Sequence, residues 1–396
     1  MRRFVSRMVF PVAVLLLIPL VPWTGSAAPF LPSDDKQVLE RVRERPLDPA
    51  WQELRRLREA VARKPGDLES STRLAARYIE QSRSEADPRY LGYAEAVLVP
   101  WLGREQPPAE ALLLRATIRQ SLHRFDEALE DLHLVLSRKP QSAQGWLTAA
   151  LLHQVRGDYG QARRHCTPLI RLAGEVVAGA CLASVGSLTG QAEPSYDLLH
   201  RLSRRGGVMN PAERQWVATL LAEMAERRGA AAEAEGHYRA ALRIGLHDSY
   251  LLAAYGDFLL DRGRAEEVIQ LLRHERKADA LLLRLALAEQ MAGHPDATAD
   301  REALRARFEA AGRRGDRIHL REEARFTLRL LEDAAAAVRV ARENWAIQKE
   351  PADARILLEA AVAAKDRPAA RAVMDWIEAN HLEDVRLHDL MRRIKR

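Results

Sequence analysis

The chain has 396 residues, with 61 Lys plus Arg against 55 Asp plus Glu, a formal net charge of +6 and 6% aromatic residues. It is too long for one ordinary compact domain. Its acids are interspersed among its arginines and its aromatics are few, which excludes the one-signed, aromatic-lined stripe that nucleic acid binding uses. Richness in Ala, Leu, Arg and Glu, without a long Gly/Ser linker or an alternating strand pattern, points to an all-helical protein.

Arg2, Arg3 and Arg7 open the chain, an apolar run follows from Met8 to Trp23, and the small residues Gly25-Ser26-Ala27-Ala28 close it. That order is the layout of a secretory signal peptide. The run is shorter than the roughly 20 apolar residues that span a bilayer, and Pro11, Pro19 and Pro22 interrupt it. Cleavage is therefore expected in place of an uncleaved anchor. The cut falls after Ala27, with Ala28 as the new N-terminus, because a cut one residue later would leave Pro29 there. Losing residues 1–27 removes three arginines and no acid, so the mature chain carries +3. It is expected to be exported, periplasmic or secreted, with no lipid anchor and no stable membrane insertion.

Residues 34–107 read as N-terminal helical hairpins. Leu57 to Lys64 ends a helix at Pro65, and paired helices run from about Leu68 to Ser84 and from Pro88 to Trp101. Residues 108–302 carry a repeat. Arg124-Phe125-Asp126-Glu127-Ala128 aligns with Asp158-Tyr159-Gly160-Gln161-Ala162, and the alanines stand 34 residues apart, as do Ala116 and Ala150. Looser copies pass through Cys181, through Ala222 and Tyr238, and through Tyr255-Gly256 and Val268, with turn glycines at 157, 190, 229 and 263. The step of 39 between the second and third of these glycines marks a loop around Arg204-Arg205-Gly206-Gly207. A sixth unit near Ala286 and Gly293 leads into a helix from Arg301 to Arg314. Residues 303–396 return to hairpins, with one helix from Ala334 to Lys349 ending at Pro351 and a pair between Ala352 and Ala379.

These residues resemble the tetratricopeptide repeat, or TPR, in which two antiparallel helices pack through small residues. Ala116, Ala128, Ala150 and Ala162 let backbones approach, Phe125, Trp146 and Tyr159 fill the space beside them, and Gly157 permits the positive φ that ends a helix. The resemblance covers 109–175 most specifically and weakens toward both ends. It implies an α-solenoid, stacked into a right-handed superhelix with a concave groove. By analogy the groove residues are Thr117, Gln120, Gln144, Leu147, Leu151 and Gln154. Leu113, Thr117, Gln144 and Thr148 stand where some TPRs place a lysine/asparagine clamp for acidic peptide ends, so such a tail is not the expected ligand.

No Gly-rich phosphate loop, HExxH or Gly-x-Ser-x-Gly elbow is present, and no histidine or cysteine pairs lie at metal-ligand spacing beyond His165-Cys166. No catalytic residue, metal or cofactor is expected. Glu322-Glu323-Arg325 and Arg227-Arg228-Glu233 read as solvated faces. Cys166 and Cys181 flank a turn near Ala173-Gly174, at about equal height on adjacent antiparallel helices. Export would let them form a disulfide; the alternative is two small buried thiols. The function that follows is an exported scaffold or assembly factor holding a protein or peptide in the groove. The alternative is a structural or homo-oligomeric component of an envelope complex, such as one for polysaccharide export, with no peptide ligand.

Overall fold

The chain is described by a computed structural model over residues 49–85, 87–205 and 209–395. The expected signal peptide, the expected cut between Ala27 and Ala28, and the Gly206-Gly207 part of the expected loop lie outside these residues. The described residues are helices joined by turns: α1 Pro49–Arg63, α2 Leu68–Glu85, α3 Arg89–Leu102, α4 Ala109–Ser121, α5 Phe125–Arg138, α6 Ala143–Val155, α7 Tyr159–Cys166, α8 Leu169–Leu172, α9 Glu175–Gly186, α10 Ala192–Arg204 and α11 Pro211–Arg227. They continue with α12 Ala231–Leu242, α13 Ser249–Leu260, α14 Ala265–Leu272, α15 Asp279–Ala292, α16 Ala297–Arg314, α17 Leu320–Arg329, α18 Ala334–Ile347, α19 Pro351–Ala364, α20 Arg367–Ala379 and α21 Val385–Lys395.

Local chemistry sets many of these ends. Ser142, Asp158, Asp248, Asp333 and Asp366 accept backbone N–H bonds at the starts of α6, α7, α13, α18 and α20. Asn210 and Glu213 close a capping box over α11, with Pro211 in its first turn. The packing between helices is then carried by small residues. Ala116, Ala128 and Ala162 have no exposed surface and Ala150 has 2%, so each repeat alanine lies in a helix–helix contact with no room for a larger side chain.

Stacking fixes the inner and outer sides. The first helices of successive hairpins touch each other along the row α2, α4, α6, α9, α11, α13, α15, α17, α19 and α21. The second helices pack chiefly on the first helix of their own hairpin and that of the next. The row of first helices is therefore the side of tighter curvature. This is a TPR-like α-solenoid of antiparallel hairpins, and its stacking row runs without a break from residue 68 to residue 395.

The helix carrying Cys166 is shorter than its repeat position implies. Pro168 ends α7 and only one further turn, α8, follows. The break does not separate the cysteines: Cys166 and Cys181 are joined, with Cα atoms 5.6 Å apart, a spacing inside the disulfide range. Ala173 and Gly174 form the expected turn between them.

Candidate functional site

The concave face starts from the residues that first helices turn inward, and most of the expected groove residues are engaged. The Thr117 hydroxyl donates to the Leu113 carbonyl (3.0 Å) on its own helix. Gln154 Oε1 accepts from the Ser184 hydroxyl (2.9 Å) on α9. Leu147 packs against a core cluster that the C-terminal helices complete. Gln120 and Leu151 are half-buried, while Gln144 is exposed, its amide donating to Thr148 (3.1 Å). Thr117 and Gln120 lie on α4, Gln144, Leu147, Leu151 and Gln154 on α6, so two neighbouring first helices hold all six.

The unforeseen feature is what lies beside them. The C-terminal hairpins fold back over the ends of the first helices and the turns that follow. The Lys349 N–H donates to the Val155 carbonyl (2.7 Å), and the Ala192 N–H donates to the Glu383 carboxylate (2.7 Å). A Cβ on Gly157 would meet Lys349 Cβ and Trp376 Nε1 at 3.2 Å, and one on Gly190 would meet His381 Cβ at 3.1 Å. Gly229 faces Val385 in the same way. One apolar cluster joins Ala150, Tyr159, Cys166, Cys181 and Val185 to Leu357, Val373, Ile377 and Met391.

Charge completes the closure. Arg325 pairs with Asp257, which Arg284 also binds (2.7 Å). Both guanidinium Nη atoms of Arg355 donate to Asp261 (2.5 and 2.7 Å), and Arg386 reaches Glu226 (2.6 Å). Burial alone would raise Asp257, yet Arg284 and Arg325 hold it well below the ordinary carboxylate range. Burial raises Glu226, with Arg386 and the Tyr238 hydroxyl acting against it. Asp353 is fully buried and anchors the start of α19 by accepting from Arg321 (2.6 Å), Asn344 (2.7 Å) and Gln348 (3.1 Å).

These pairs correct the reading of two charge runs as solvated faces. Arg325 is spent on Asp257, Glu322 is mostly buried near Arg284 (3.8 Å), and buried Arg227 donates to the Ser187 hydroxyl (2.9 Å). Sequence periodicity placed these residues on helix faces, but the opposing carboxylates come from distant repeats and gave no local signal.

Two clefts involve the second helices, the first of them shared with the first helix α6. One, of about 420 Å³, is lined by His133, Trp146, His153 and His165, and the His153 and His165 rings lie 4.8 Å apart. The other, of about 550 Å³, is lined by Tyr196, His200, Arg228 and His237. There the Tyr196 hydroxyl meets His237 Nε2 at 2.9 Å. Burial and then Glu233 push Tyr196 up to about 12, and burial and then His200 lower His237. In repeat register His200 matches His133 and His237 matches His165, although the ring contacts differ, His153–His165 in the first cleft and His200–His237 in the second.

The fold defines the class: a TPR-like helical-hairpin solenoid, closed by its own C-terminal hairpins. No protein-family model matches the sequence, and no curated protein does. Among solved structures the chain is similar to one in the APC/C hetero-tetramer Cut9–Hcn1, at 12% identity and a TM-score of 0.40, over 88% of this chain and 53% of that one. It thus spans about half of that chain. It is also similar to the P58(IPK) TPR domain, at 14% identity and a TM-score of 0.21, over 87% of this chain and 94% of that one. Among the described residues, no helix is long and apolar enough to cross a membrane.

Proposed function

We propose that the chain is an exported, non-enzymatic scaffold that holds a partner protein on its first-helix face. The observation that carries this reading is Tyr250. It sits in the first turn of α13, is 57% exposed, and its hydroxyl donates to Glu223 on the preceding first helix. A large amphipathic ring, held by a hydrogen bond and left in solvent, has the character of an interface anchor. Exposed Gln144 in the first turn of α6 offers amide groups on the same row of helices.

Photo-crosslinking residues placed singly at Tyr250, Gln144 and the outer residue Ile170 test this in cells. Ile170 is 60% exposed on α8, which is not one of the first helices. Cross-links to one partner protein from positions 250 and 144, with none from 170, are expected. Cross-links only from Ile170, or only to a second copy of the chain, would overturn the reading in favour of a structural component. Export is tested on the same material by mass spectrometry, where the mature N-terminus is expected at Ala28. Retention of Met1 on membrane-bound protein would restore the anchor.

A further inference from the structure

We propose that Glu289, His294 and Asp296 form a divalent-cation site of the zinc class at the tip of the α15–α16 hairpin. A helix-ending turn assembles it. Gly293 adopts φ +68°, and the His294 N–H returns to the Glu289 carbonyl (2.9 Å), which folds the chain back over the last turn of α15. One carboxylate oxygen each from Glu289 and Asp296 and a ring nitrogen of His294 then lie within 4.8 Å of one another.

Two further observations point to a cation there. Glu289 has no exposed surface, and its Oε2 has no hydrogen-bond donor among the described residues; a buried carboxylate oxygen left so is costly. The charges also fail to balance. Among the described residues, Arg276 is the cation bonded to the cluster, one Nη shared by Glu289 Oε1 (3.1 Å) and Asp296 (3.1 Å) and its Nε on Asp300 (2.9 Å). Three carboxylates against one guanidinium leave two negative charges, which one divalent ion offsets. His294 Nδ1 accepts a long bond (3.3 Å) from the Asp296 N–H, a bond that metal ligation through either ring nitrogen would displace. Mixed imidazole and carboxylate donors suit zinc, whereas calcium and magnesium take oxygen ligands. Three protein ligands leave a fourth position for water.

The full chain, cleared of metal with a chelator, is titrated with Zn²⁺ by calorimetry, beside His294→Ala, Glu289→Gln and a double control, His200→Ala with His237→Ala. His294 is half-buried at a hairpin tip, so its removal tests the site without emptying a core position. One zinc per chain is expected, weakened at least about tenfold by either single variant and unaffected by the control, with circular dichroism unchanged in His294→Ala. Absence of saturable binding would mean that Glu289 and Asp300 share a proton instead, and would overturn the site. Binding that survives His294→Ala, or is lost in the control, would overturn it equally.

Discussion

At single positions, the 34-residue spacing has direct consequences. Ala128 and Ala162 have no exposed surface, so a leucine at either overpacks a helix contact and is expected to cost about 1–3 kcal/mol. Equilibrium urea melts measure this, and unchanged stability in both variants would mean the repeat register is wrong. Gly157 and Gly263 separate two effects that usually come together. Both have positive φ, +75° and +69°, where a side chain costs roughly 1–2 kcal/mol. Of the two, Gly157 faces the C-terminal helices, whereas a Cβ on Gly263 meets nothing within 4 Å among the described residues. Gly157→Ala should therefore lose more stability than Gly263→Ala, and equal losses in parallel melts would count against the contact with Lys349 and Trp376. The glycines were legible in the sequence because a helix-ending turn demands them. The neighbours of Gly157 were not, because Lys349 and Trp376 stand far along the chain.

Among the elements, α7, α8 and α9 are tied by the Cys166–Cys181 bond across a separation of 15 residues. For such a loop the chain-entropy description gives about 3 kcal/mol, so a Cys166→Ser, Cys181→Ser protein should melt at correspondingly lower urea. Thiol titration of denatured, unreduced protein should find no free thiol; two per chain would contradict the bond. The contact of α13 with α17 carries a pH signature. Asp257 is depressed in the folded chain because Arg284 and Arg325 outweigh its burial. A depressed carboxylate stabilises the fold above its unfolded value near pH 4 and loses that contribution as pH falls through the folded value. Asp257→Asn should weaken the protein at neutral pH and flatten the loss of stability below about pH 4. An acid limb unchanged from that of the native chain would exclude the linkage. Helix ends were readable from Pro65 and Pro351, and the Asp and Ser caps at helix starts emerged only with the structure. The pairing of α13 with α17 was not readable either, since one arginine on a helix looks like any other until its carboxylate is placed. The Glu289 cluster was hidden for a related reason: its spacing matches no ligand motif, and the turn at Gly293 creates the proximity.

For the molecule as a whole, closure changes how the solenoid holds together. Open repeat arrays draw stability from contacts between neighbouring repeats. Here ion pairs and hydrogen bonds join residues 68, 94, 160 and 191 positions apart, and one apolar cluster holds both α7 and α20. Early and late hairpins should therefore unfold together. A double-mutant cycle on Asp261 and Arg355 tests this most directly, because Asp261 is held by Arg355 through two hydrogen bonds across 94 residues. With Asp261→Asn, Arg355→Gln and the double variant followed by urea denaturation, closure requires a favourable coupling of roughly 1 kcal/mol or more. Additive losses, with a coupling of zero within error, would contradict it and leave the last hairpins stacked on the end of an open array.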